Sequence, residues 1–145
     1  MSEALCDALV WATWSVVVGC SVHILPTPLF QRDSWLTRMR PWECDGRVYE
    51  RLRIRRWKSR LPEVGGKRTL PASLETFSTE TRRAEYVHWA IASIGPVFVL
   101  WNPWWLTVAM LVYAVAANAP FIAIQRYNRA RVVRLLRRRA LVLAR

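Results

Sequence analysis

Three apolar stretches interrupt an otherwise polar chain of 145 residues, at about 5–25, 84–101 and 104–124. Each is close to the roughly 20 residues that a helix needs to cross the hydrocarbon core of a bilayer. The last two are separated only by the turn Trp101–Trp105, whose tryptophans suit a membrane interface. The pattern therefore predicts an all-α membrane protein with three transmembrane helices, one alone and two in a tight hairpin. Such a chain forms a single membrane domain, 1–145.

Two polar segments connect and follow these predicted spans: a loop at 26–83 and a tail at 125–145. The densest basic part of the loop, Arg47–Arg60, fits a short interfacial helix or a hairpin equally well. Ile54, Trp57 and Leu61 would share one face of a helix, whereas the residues from 51 to 55 alternate as in a strand. The fold of 30–72 thus stays open at this level.

The second predicted span has a helix start signal well before its apolar part. Ser73 is a good N-cap residue and Glu75 follows in the first turn, so a helix from about Leu74 runs into the span. Gly95-Pro96 is expected to kink it.

Charge decides the predicted orientation. None of the 22 lysines and arginines precedes Arg32; fourteen fall in 32–83 and eight in 126–145. Because cytoplasmic loops collect basic residues, we expect a multi-pass protein of the cell inner membrane, with the N-terminus outside and the loop and tail in the cytoplasm.

The net charge of +12 raises the alternative of a nucleic-acid binder, but 53% hydrophobic content and nine tryptophans favour contact with anionic membrane lipids instead. The three cysteines have no metal-ligand spacing, and no disulfide or metal centre is expected.

Glu85 and His88 are the strongest candidates for chemistry. They are three residues apart at the start of the second predicted span, which places them on one helical face. Ionisable groups that enter hydrocarbon mark functional sites by default, and a carboxylate can orient a histidine as a general base. The alternative is an interfacial pair neutralised by Arg82 or Arg83.

Asn118 is the third predicted catalytic residue. Either Asn118 or Gln125 would donate to a developing oxyanion. The alternative for Asn118 is an interhelical hydrogen bond. Cationic and polar side chains at the same predicted depth are expected to bind the anionic head of a lipid-like substrate. These predicted substrate-binding residues are His23, Arg56, Lys58, Gln125, Arg126, Asn128, Arg129 and Arg131. The residues from 125 to 131 would otherwise serve as a snorkelling anchor.

Several motifs, spread in order over about 45–136, resemble the glycosyl-4,4'-diaponeurosporenoate acyltransferase family. They are Arg47-Val48-Tyr49-Glu50-Arg51-Leu52, Arg56-Trp57-Lys58, Leu61-Pro62, Glu80-Thr81-Arg82-Arg83-Ala84-Glu85 with His88-Trp89, Leu100-Trp101-Asn102-Pro103, and Gln125-Arg126-Tyr127-Asn128-Arg129 with Arg131. Ala130 stands where the family typically has Pro, and the loop from Gly65 to Pro71 is shorter than usual. The resemblance implies a small membrane acyltransferase whose named relative esterifies a sugar hydroxyl of a glycosylated carotenoid.

The resulting hypothesis is a membrane enzyme that moves a fatty acyl group to a hydroxyl of a glycolipid or glycosylated isoprenoid at the cytoplasmic face. Acyl-CoA or a similar donor is a substrate, and no cofactor is expected. Three thin spans leave room for a homo-oligomer or a membrane partner protein. The alternative is a non-catalytic scaffold, or an anionic-lipid-binding subunit of a lipid-processing complex.

Overall fold

The computed structural model describes residues 3–58, 61 and 73–144, and every regular element within these ranges is helical. The five α-helices, numbered in chain order, are α1 (Glu3–Ile24), α2 (Arg47–Arg51), α3 (Ile54–Trp57), α4 (Leu74–Ala92) and α5 (Trp104–Leu143). Short 3₁₀ helices lie at Thr27–Phe30, Pro41–Gly46 and Gly95–Leu100. The helical interpretation of the basic segment Arg47–Arg60 is therefore the correct one up to Trp57, while its last two residues, 59 and 60, lie outside the described residues.

The chain divides into two compact units, and α4 and α5 each contribute to both. The first unit contains Met1–Pro26 and Tyr86–Ile122; the second contains Thr27–Glu85 and Ala123–Arg145.

Among the described residues, two helices are long and apolar enough to cross a membrane, α1 and α5. Only 11% of the apolar window of α1 and 28% of that of α5 are buried within the protein, so most residues of these windows are at least partly exposed. A helix that is apolar on all sides is typical of a membrane span or of a deeply buried core helix.

The predicted span at 84–101 is not a continuous helix. The helix α4 ends at Ala92, and the 3₁₀ helix Gly95–Leu100 follows within the same stretch. Pro96 has no amide hydrogen to donate, which explains why the helix stops here where the sequence predicted only a kink. Three spans are consequently not confirmed.

Other predicted local features are confirmed. The Oγ of Ser73 accepts a hydrogen bond from the amide of Thr76 at 3.0 Å, which caps α4. Ile54 is fully buried in a small core with Tyr49, Ile124 and Tyr127 in the second unit, and Trp57 and Leu61 pack against this core, although Leu61 lies beyond the end of α3.

A close backbone approach fixes the start of α2 in the second unit. Gly46 has a φ of +87°, and a Cβ added there would lie 2.5 Å from the Cβ of Ala130. Only glycine combines that conformation with that contact at little cost. The 3₁₀ segment before α2 is thereby held against α5.

Candidate functional site

The imidazole of His88 is positioned by α5 within the first unit. Its Nδ1 lies 3.0 Å from Oδ1 of Asn118, and its ring stacks on Phe121 with centroids 4.6 Å apart. The Nδ2 of Asn118 donates to the carbonyl of Ala114 at 2.9 Å, so the amide oxygen is the atom that faces the histidine. Since an amide oxygen only accepts, Nδ1 carries a hydrogen, and in the neutral ring Nε2 keeps its lone pair.

This arrangement has the parts of a general base. Asn118 is buried and its amide is fixed by the helix backbone, while His88 is only half-buried. Nε2 of His88 makes no hydrogen bond within the described ranges, so its lone pair is not committed to another group there. A neutral histidine that is oriented through one nitrogen can accept a proton at the other.

Glu85 is engaged by two arginines of α5 in the second unit. Its Oε1 lies 2.7 Å from Nε of Arg126, and its Oε2 lies 2.8 Å from Nη2 of Arg129. Arg126 also places Nη1 2.7 Å from Oε1 of Glu43. Glu43 and Glu85 are fully buried, and the two arginines are 8% and 1% exposed. We call these four residues the ion-pair network.

The ion-pair network also holds the loop that precedes α2. Arg126 donates to the carbonyl of Leu36, and Arg129 donates to the carbonyl of Thr37. The backbone amide of Arg40 donates to Oε1 of Glu43 at 2.8 Å. Buried guanidinium groups require this density of partners, because an unpaired buried charge is costly. The ion-pair network therefore holds α4, α5 and the loop before α2 together within the second unit.

Tyr49 completes the surroundings of Glu43. Its hydroxyl donates to Oε2 of Glu43 at 2.6 Å. Burial, and then the neighbouring carboxylate, raise the pKa of Tyr49 above its ordinary value, so the phenol remains a donor.

The other predicted substrate-binding residues fall into separate places. Lys58 reaches Oδ1 of Asn128 with its Nζ at 3.4 Å, and Lys58 and Arg131 each lie within 6 Å of the Tyr127 ring centroid. Gln125 is buried, and its Oε1 has no partner among residues 3–58, 61 and 73–144. Arg56, and His23 at the end of α1, are exposed.

The structure thus brings His88 together with Asn118, and Glu85 together with Arg126 and Arg129. The roles assigned to these residues from the sequence stay predictions. We expected the Glu85 carboxylate to orient the His88 ring. In the structure it is Asn118 that contacts Nδ1 of His88.

Two carboxylates were missed by the sequence reasoning. Glu43 lies in a loop with no recognisable motif. Asp7, in the first unit, is buried in α1 and accepts hydrogen bonds from Nε1 of Trp101 at 2.8 Å and from Nδ2 of Asn102 at 2.9 Å. An acid inside an apolar stretch is itself a signal of a specific partner, and it was available in the sequence.

Comparison with known proteins places the chain in a family. The sequence model of the glycosyl-4,4'-diaponeurosporenoate acyltransferases matches residues 32–138, and the chain belongs to that family. A glycosyl-4,4'-diaponeurosporenoate acyltransferase of Staphylococcus haemolyticus is 29% identical over 144 residues, which cover 91% of this chain and 84% of that protein. One from Staphylococcus aureus (strain bovine RF122 / ET3-1) is 29% identical over 126 residues, 78% of this chain and 75% of the relative. No solved structure matches the chain. The protein is thus an enzyme of the acyltransferase class.

Removing one member of the ion-pair network should be strongly destabilising. Arg126→Gln leaves Glu43 and Glu85 buried with less charge compensation, and we expect the free energy of unfolding to fall by about 3–5 kcal/mol. Chemical unfolding of the purified protein in detergent, followed by tryptophan fluorescence, measures this.

The matched control is Arg134→Gln. The Nη2 of Arg134 lies 2.6 Å from Oε1 of Glu50, but both side chains are partly exposed. An exposed pair contributes about 1 kcal/mol or less. Equal losses in the two variants would contradict a structural role specific to the buried network.

Proposed function

We propose that this protein transfers a fatty acyl group to a sugar hydroxyl of a glycosylated isoprenoid. The proposal is supported by membership of the family, and by the curated relatives, whose name specifies a glycosylated diaponeurosporenoate. Similarity over most of both chains favours related substrates. The acceptor would then have a sugar head and a long apolar tail.

We further propose that the reaction takes place at the cytoplasmic face of the cell membrane. The uncovered apolar faces of α1 and the first half of α5 suit a lipid environment, and an acceptor of this kind resides there. The segregation of basic residues favours a loop and tail in the cytoplasm, with the N-terminus outside. In this topology the end of α4 and the 3₁₀ helix Gly95–Leu100 together form the remaining crossing.

His88 is the proposed general base. The acceptor hydroxyl loses its proton to Nε2 of His88 while its oxygen attacks the carbonyl carbon of the acyl donor. The new carbon–oxygen ester bond forms as the bond to the donor's leaving group breaks. With a thioester donor such as acyl-CoA, the imidazolium then returns the proton to the departing thiolate, and the base is regenerated.

The observation that carries this proposal is the bond between His88 and Asn118. It selects the tautomer that a base acting through Nε2 requires, and the ring stack with Phe121 limits rotation of the imidazole. Because the nitrogen of the Asn118 amide donates to Ala114, this amide is better suited to positioning the ring than to donating to an oxyanion.

The donor's phosphates would be held by cations that are not committed to buried carboxylates. Arg126 and Arg129 are paired within the ion-pair network, whereas Arg56 and Arg131 present their side chains to solvent. Arg131, whose guanidinium lies 5.8 Å from the centroid of the Tyr127 ring, is the better candidate of the predicted set.

His88→Gln should abolish most of the activity without preventing insertion. General bases contribute about 10²- to 10⁴-fold, and we expect acylated product to fall by that factor at normal abundance in membranes. Mass spectrometry of lipid extracts from cells that supply a glycosylated isoprenoid measures the product as a species heavier by one fatty acyl group.

Ser93→Ala is the matched control, since the Ser93 hydroxyl is exposed and donates to the carbonyl of Ala90 in the last turn of α4. It should retain full activity. Full activity of His88→Gln would show that the base is wrongly assigned. An absence of acylated product from the unchanged protein would favour a non-catalytic scaffold.

The topology is tested with the native cysteines. A variant that keeps only Cys44, made with Cys6→Ser and Cys20→Ser, carries an exposed thiol in the basic loop. We expect a membrane-impermeant maleimide to label it only after permeabilisation of the cells, and to label Ser2→Cys in a cysteine-free background without permeabilisation. Labelling of Cys44 in intact cells would place the loop outside and refute the proposed sidedness.

A further inference from the structure

The loop before α2 and the distal part of α5 form a cleft lined by arginines in the second unit. Its volume is about 540 Å³, and Arg38, Arg40 and Arg137 line it together with a single carboxylate, Asp45. We call these four residues the arginine cleft. None of the four is a residue to which the proposed reaction assigns a role.

The charges in the arginine cleft are poorly compensated. Nη1 of Arg137 lies 3.6 Å from Oδ2 of Asp45, and both side chains are about two-thirds exposed. Such a pair is weak in water. Arg38 has no ion pair within the described part of the chain, and the three arginines therefore line the cleft with one carboxylate that is only loosely engaged.

The side chain of Arg40 is held in place before any ligand binds. The Nη2 of Arg40 donates to the carbonyl of Trp35 at 2.8 Å, and its guanidinium stacks 5.0 Å from the centroid of the Trp35 ring. Cys44 and Asp45 adopt positive φ angles of 48° and 54°. Non-glycine residues take this conformation at a cost, and such strain is found where a binding surface is being shaped.

Two exposed tryptophans lie next to the arginine cleft along the chain. Trp35 is 78% exposed and Trp42 is 62% exposed. Exposed tryptophan beside arginine is the composition of a surface at the level of lipid headgroups.

We infer that the arginine cleft binds a phosphate group. Guanidinium groups form paired, charge-assisted hydrogen bonds with phosphate oxygens. Three arginines offer enough donors for one phosphate and for the neighbouring part of the same ligand. The phosphate belongs either to an anionic phospholipid headgroup or to a soluble phosphate-bearing acyl donor. Binding there does not depend on the acyl transfer assigned to His88.

The test measures binding to the purified full-length protein in neutral detergent by titration calorimetry. The probes are dihexanoyl phosphatidylglycerol and adenosine 3',5'-bisphosphate, and dihexanoyl phosphatidylcholine is the zwitterionic comparison. Binding of the phosphatidylglycerol alone assigns the cleft to a headgroup, and binding of the bisphosphate alone assigns it to a donor. Binding of both supports a general phosphate site, and binding of neither overturns the inference.

Arg38→Gln combined with Arg137→Gln should weaken binding by about 10- to 100-fold. Arg51→Gln combined with Arg139→Gln removes the same charge from exposed positions outside the cleft and should leave binding within about twofold. Equal weakening in both double variants would mean non-specific attraction and would overturn the inference.

Two further variants separate the loss of paired hydrogen bonds from misfolding and from a failure of the proposed reaction. Arg38→Lys combined with Arg137→Lys retains the charge but not the paired donors, and should weaken binding even if the glutamine variant fails to fold. Undiminished binding by the lysine variant would overturn the claim of paired recognition. His88→Gln should bind both probes as the unchanged protein does, which separates a failure of this inference from a failure of the proposed reaction.

Discussion

The burial of Arg126 is the constraint on which the second unit depends. A guanidinium that is almost out of water needs carboxylates around it, and Arg126 draws one from 41 residues away and another from 83 residues away in the chain. The first, Glu85, ties α4 to α5, and the second, Glu43, ties the loop before α2 to the same point. Glu85 is thereby committed to a structural pairing, and His88 takes a different partner for its orientation.

The elements of the fold were largely readable from local sequence. Apolar length predicted α1 and the Ser73 cap predicted the start of α4, whereas the sequence left the element around Ile54 open between a helix and a hairpin. The stretch 84–101 was read as one span because hydropathy averages over a window. The average does not register that Pro96 withholds an amide hydrogen and ends the helical ladder.

The sequence indicated Glu85, His88 and Asn118 as candidates, but it did not indicate which of them contact one another. Spacing along α4 suggested that Glu85 would orient His88, yet contacts between distant segments determine which groups meet. Asn118 is thirty residues from His88, and no periodicity links them. Asp7 was visible as an acid in an apolar stretch, but its partners on the turn before α5 depend on the packing of the first unit.

The tautomer of His88 tests the central claim most directly, because the proposed base acts only if Asn118 holds the hydrogen on Nδ1. The chain has two histidines, His23 and His88, so nitrogen-15 labelling of histidine gives a spectrum that the His23→Gln variant assigns. In the neutral ring we predict that the hydrogen is bonded to Nδ1 and that Nε2 resonates as an unprotonated nitrogen. A hydrogen on Nε2 would contradict the account.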